Sequence, residues 1–198
     1  MKSLCHWVLG RYLASWFMRD QSPLLRFFFK LGSVEPDFNP VTYLRGFKTI
    51  EHFRGHNYRN VCGTIEHLTF NLLYTGDSDV KTFYYLGKLC HYTTDAFTYP
   101  HNITFTGTIR EHMRYEKRLK WYFIRFLHQN PTPPEIRPYS GTLFDMIDHI
   151  HQQYLGTKPS KENDVAFTFQ TVSNIVQEFT ELFSRSSMRL GRMASPAD

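Results

Sequence analysis

Cysteine is scarce in this 198-residue chain, where Cys5, Cys62 and Cys90 lie far apart and form no C-x-x-C pair. That excludes a disulfide framework and a thiolate zinc site, and leaves the three as buried thiols. Long apolar runs are missing too. The opening stretch MKSLCHWVLGRYLASWFM has no apolar run longer than three residues before His6 and Arg11 interrupt it, and no small-residue cleavage site. No signal peptide is read there. No segment nears the roughly 20 apolar residues that a transmembrane helix needs, so a soluble, cytoplasmic protein is expected.

Alternating strand patterns are absent apart from a weak run at Val165 to Val172, which is assigned to a helix. Internal repeats and interior linkers are absent as well, so one domain over residues 1–186 is expected, with a basic flexible tail over 187–198. The tail begins to show from Ser184 onward, with Arg185, Arg189 and Arg192.

What is present reads as an all-α, multi-helix bundle. Hydrophobic residues make up 41% and charged residues 21%, ordinary for a globular protein, while 17% aromatic content suits a core of Phe and Tyr between helices. Apolar periodicity predicts helices over Leu4 to Met18, Val61 to Tyr74, Val80 to Phe97, Thr106 to His128, Thr142 to Tyr154 and Asn163 to Phe183. Lys30 to Pro40 reads as a loop in which Gly32, Pro36 and Pro40 fix the carboxylate of Asp37. Thr42 to Tyr58 is read as part turn and part helix.

The formal charge is +5, and Arg110, Arg114, Lys117, Arg118, Lys120 and Arg125 gather on one helix. Such a face could attract anionic substrates or touch an anionic membrane; it could equally be a solvated face balanced by Glu111 and Glu116.

The stretch from Tyr84 to Glu116 carries the chemistry. It reads His91-x3-Asp95-x5-His101, followed by His112-x3-Glu116. Residues four apart share one helix face, so each pair presents an imidazole and a carboxylate together. Pro100 is expected to end the first helix, and the extended geometry forced on Tyr99 lets His101 turn back over the same site. Mixed nitrogen and oxygen donors of this kind suit zinc. An isolated His-x3-Asp is usually a surface hydrogen bond, but two pairs flanking a Pro-His turn are not isolated. His56, His67, His128, His149 and His151 fall outside the pattern and read as surface or hydrogen-bonded residues, with His56 the rival of His52. Trp7, Tyr84, Tyr92, Tyr99 and Tyr115 read mainly as core.

The ordered set His6, Asp37, His52, His91, Asp95, His101, His112 and Glu116 resembles the ligand order of the zinc-dependent phospholipase C family, which shares its fold with the zinc-dependent single-strand nucleases. The stretches HWVLGRYL at His6, EPD at Asp37, HF at His52 and above all HY-x2-D-x4-PH from His91 to His101 are similar to its motifs, over Met1 to about Glu116. The resemblance implies two to three zinc ions. Asp37, His52, His91 and Asp95 would hold one; His101, His112 and Glu116 a second, with a position open to water and phosphate. Asp95 would bridge to a third, completed by His6 and by the amino group and carbonyl oxygen of the first residue, here Met1. An α-amino group titrates near about 8, so its proton was expected to yield to a metal at small cost. Secreted members begin with a Trp exposed by leader removal, whereas no leader is read here and Met1 is expected to take that place. The segment between His101 and His112 is also shorter than in those enzymes.

The implied activity is a phosphoric ester hydrolase of phospholipase C type, acting on phospholipid or another phosphodiester, with Asp37 able to accept a proton from the attacking water. The alternatives are a nuclease or nucleotidase on the same metals, and a non-enzymatic zinc-binding module. Glu116, where the nuclease branch has Asp, favours the lipase; the open mixed-donor site argues against a purely structural zinc.

Overall fold

The computed structural model describes residues 1–39, 41, 57–74, 78–136 and 139–194, with side chains given through 185. Among these residues it holds eight α-helices, one 3-10 turn and no strand, an all-α bundle. In chain order they are α1 (Ser3–Phe17), α2 (Pro23–Gly32), α3 (Glu35–Phe38), α4 (Tyr58–Tyr74), α5 (Asp79–Ala96), the 3-10 turn (Tyr99–His101), α6 (Ile109–Gln129), α7 (Leu143–Leu155) and α8 (Lys161–Ala194). No helix among the described residues is long and apolar enough to cross a membrane.

The helix starts follow from local chemistry. Thr108 caps α6 by accepting from the Glu111 amide while the Glu111 side chain accepts from the Thr108 amide, and Thr142 with Asp145 does the same for α7. Each capping box satisfies two amides that the first turn leaves without partners. Ser22 accepts from the Leu25 amide at the start of α2, where Pro23 has no N–H to lose.

Helix α5 is packed against α1, α2, α4 and α8. Its residues Phe83, Leu86 and Leu89 join Leu9 and Leu13 of α1, Phe29 of α2, Ile65 of α4 and Val172 and Ile175 of α8 in one hydrophobic core. The closest approach is between α2 and α5. A Cβ on Gly32 would lie 2.1 Å from the Tyr84 carbonyl oxygen, and one on Gly87 would lie 2.1 Å from that of Phe29. Only glycine allows two helix backbones so near each other.

Several sequence expectations are corrected here. Helix α2 went unread, and Lys30 to Pro40, expected as a loop, is helical through Gly32 and again over Glu35–Phe38. Gly32, expected to help bracket Asp37 in that loop, instead closes α2 at its contact with α5. Helix α5 ends at Ala96, four residues before Pro100, and Pro100 instead sits inside the 3-10 turn after an extended Thr98. The last helix, expected to stop near Phe183, continues to Ala194. The mixed turn and helix read over Thr42 to Tyr58 falls mostly outside the described residues.

Candidate metal centre

The last turns of α5 are enclosed on all sides, since His91, Tyr92, Thr93, Thr94, Asp95 and Ala96 are all buried. A buried carboxylate survives only with opposite charge or donors around it. Asp95 has them from three directions. Its Oδ1 contacts the α-amino group of Met1 and lies 3.2 Å from His6 Nε2. Its Oδ2 lies 3.5 Å from His91 Nε2 and 3.6 Å from His101 Nδ1. Asp37 on α3 reaches the same place, its Oδ1 3.7 Å from His91 Nε2.

Helix α6 closes the other side. Glu116 Oε1 lies 3.1 Å from His101 Nε2, 3.3 Å from His112 Nε2 and 3.1 Å from the Met1 nitrogen, while Oε2 pairs with Lys2 Nζ at 3.1 Å. The donors thus form two neighbouring groups, His6 with His91 and Asp95, and His101 with His112 and Glu116, the donor atoms of each group lying within 4.8 Å of one another. The first is wholly buried. In the second, His112 is partly exposed, its side chain 32% accessible, so that group faces the outside.

One ring nitrogen is fixed by the backbone. His91 Nδ1 lies 3.0 Å from the carbonyl oxygen of Ser33, which can only accept, so Nδ1 carries the hydrogen and Nε2 is the nitrogen turned toward Asp37 and Asp95. A nitrogen facing two carboxylates is satisfied by a proton or by a metal cation held between them. His6 Nε2 is buried without a hydrogen-bond partner, and its ring stacks on His91 with centroids 3.9 Å apart. Imidazole nitrogens and carboxylate oxygens arranged in this way fit zinc, and the backbone-fixed imidazole is the usual outer support of such a ligand.

The charges respond strongly to one another. Burial would lower the Met1 ammonium, but Asp95, Glu116 and Asp37 outweigh it and push the group up to about 11. This corrects the expected small cost of losing that proton. The ammonium balances the charge of Asp95 and Glu116, and a metal taking the Met1 nitrogen as a ligand would have to displace its proton. Burial would raise Glu116, yet the Met1 ammonium and the hydrogen bonds from His101 and His112 hold it far below the usual carboxylate range. His101 is lowered by burial and by the same ammonium. Burial pushes the Cys5 thiol up to about 12 and raises Cys90 further, so both are inert thiols; Cys62 is only half-buried.

Sequence reasoning missed the supports of the 3-10 turn. Asp164, fully buried near the start of α8, accepts from the Tyr99 amide at 3.1 Å, from Tyr115 Oη at 2.8 Å and from Tyr154 Oη at 2.7 Å. It ties α6 and α7 to the turn that holds His101. Asn102 donates to the Ala96 and Thr98 carbonyls, so its Oδ1 must accept from His151 Nε2 at 2.8 Å. His151 is therefore a buried, hydrogen-bonded brace, as its bland reading allowed. An Asp near a helix start reads as a dipole partner, and nothing local marks it as a tether. Replacing Asp164 with Ala strands three donors, one buried and two part-buried, but also removes a carboxylate whose burial pushes it up to about 6. The expected net loss is about 2–4 kcal/mol of unfolding free energy, measured by chemical denaturation. A loss under about 0.5 kcal/mol, the level of an ordinary surface change, would remove Asp164 from this role.

Met1, His6, Asp37, His91, Asp95, His101, His112 and Glu116 are thus brought together. His52 and its rival His56 lie outside the described residues. His6 shares Asp95 Oδ1 with Met1 and also stacks on His91, so the donors expected at separate ions lie side by side. A family model described as zinc dependent phospholipase C matches residues 5–162. No curated protein and no solved structure matches the chain significantly.

Proposed function

Because the chain belongs to the zinc-dependent phospholipase C family, we propose that it hydrolyses a phosphodiester, taken from phospholipid or a lipid-like ester, with water activated at a centre of two to three zinc ions. The observation that carries this reading is the convergence of His6, His91, Asp95, His101, His112 and Glu116 as two donor groups, one sealed and one reaching the surface at His112.

By the family resemblance, His91, Asp95 and Asp37 would hold one ion together with His52, which lies outside the described residues. His101, His112 and Glu116 would hold the second, and His6 and Met1, which both face Asp95, would hold the third. Zinc bound there supplies positive charge against phosphate oxygens and lowers the pKa of a bound water toward about 7. The protein's own part is positional. The Ser33 carbonyl fixes the His91 ring through Nδ1, and the Asn102 bridge to Ala96 and Thr98 fixes the turn that carries His101. Asp37, whose Oδ1 lies 3.7 Å from His91 Nε2, would accept the proton of the attacking water. Among the described donors His112 is the partly exposed one, which favours approach of the substrate from the outer, α6 side.

The test is release of a phosphomonoester from short-chain phosphatidylcholine or a chromogenic phosphodiester. His112→Ala or Glu116→Ala should cut the rate by more than about a hundredfold, beyond the loss typical of outer supports. Faster cleavage of single-stranded nucleic acid than of any lipid ester would make the protein a nuclease instead.

A further inference from the structure

Helix α6 has two dissimilar faces. His112, Glu116, Leu119 and Phe123 recur at three- and four-residue steps and turn inward to the metal donors and the core. The opposite side carries Arg110, Arg114, Lys117 and Lys120. Among the described residues no carboxylate makes an ion pair with any of these four. Together with Lys2, Ser3 and Leu4 they line a groove between α6 and the first turn of the chain, with Met113 among them. Lys2 links this groove to the centre, because its half-exposed ammonium is the one that reaches Glu116 Oε2 at 3.1 Å.

The groove is not merely basic. Met113, 56% exposed, and Leu4, 46% exposed, line it, and Ile109, 81% exposed, stands next to Arg110 at the head of α6. Exposed aliphatic side chains beside Arg110, Arg114 and Lys117, which make no ion pair among the described residues, match the two layers of a lipid surface, phosphate outside and hydrocarbon beneath. Nucleic acid would ask for something else. Base stacking needs aromatic platforms, and Trp121, the exposed aromatic of α6, has Lys120 Nζ 4.3 Å from its ring centre.

We infer that this groove is the docking surface for a membrane rich in anionic phospholipid, Leu4, Ile109 and Met113 entering the interface while Lys2, Arg110, Arg114, Lys117 and Lys120 meet its phosphates. That the docked lipid is also the substrate rests on the hydrolase reading; the docking itself does not.

The experiment is vesicle flotation of the full chain at low and high salt, with phosphatidylcholine alone and with phosphatidylcholine containing phosphatidylglycerol. Binding should rise at least tenfold with phosphatidylglycerol, since one cation near such a surface is worth roughly fivefold, and high salt should remove the gain. The R114E/K117E double variant should lose the preference. R110Q with K120Q gives the same readout at independent positions. Equal binding to both vesicles, or a preference that survives both double variants, overturns the inference. So does release of the bound chain by a single-stranded oligonucleotide at phosphate concentrations below those of the lipid. Hydrolysis is not read in this assay. A chain that binds anionic vesicles but cleaves no phosphodiester therefore overturns the hydrolase reading and leaves the docking surface standing.

Discussion

Asp95→Ala is expected to remove more than one zinc ion per chain and to lower phosphodiester hydrolysis by more than about a hundredfold, beyond the loss typical of an outer support. Most ligand substitutions empty one position. Asp95 differs because its two oxygens serve different neighbours, Oδ1 facing Met1 and His6 and Oδ2 facing His91 and His101. Alanine leaves two imidazoles, His6 and His91, stacked without the carboxylate between them. Asp95→Asn keeps the shape but has one oxygen and no charge, so it should retain part of the metal and little of the activity. The check is zinc per chain by elemental analysis beside the hydrolysis rate. If the alanine variant keeps its full zinc content, Asp95 is not a bridge.

Gly87→Ala should be nearly as damaging although position 87 is four residues from the nearest donor. Its new Cβ would lie 2.1 Å from the Phe29 carbonyl oxygen and 2.7 Å from the Ser33 amide nitrogen, both backbone atoms that no rotamer change can move. Helix α2 must retreat. Overpacking of this kind costs about 1–3 kcal/mol, set against a gain of about 1 kcal/mol from replacing glycine inside a helix. The larger effect is at the site. Ser33 carries the carbonyl that orients His91, so a shift of α2 loosens the imidazole and the Asp37 segment with it. Zinc affinity should drop about 10–100-fold, the usual cost of losing an outer support, while Gly63→Ala, whose Cβ meets nothing within 4 Å, should leave affinity unchanged. Equal zinc affinity in the two variants would show that the close helix contact does not position the site.

The five donors His91, Asp95, His101, His112 and Glu116 were legible in the sequence because helical spacing is local, and four of them fall in two pairs on α5 and α6. Met1, His6 and Asp37 reached the site only through the family resemblance. Their partners lie tens of residues away in the chain, and no periodicity encodes that distance. The all-α class followed from apolar spacing. Helix α2 did not, since Gly32 and the prolines after it suggest a loop until Gly87 is seen to need a glycine opposite. The tether at Asp164 was hidden for the same reason, its three donors coming from separate elements.

The most direct test of the account is elemental analysis of untagged protein isolated without chelator, coupled to phosphodiester hydrolysis before and after metal removal. The account predicts two to three zinc ions per chain, activity that disappears with chelator, and recovery when zinc is returned. A chain that carries no zinc, takes up none when it is supplied, and hydrolyses the ester at an unchanged rate would contradict it.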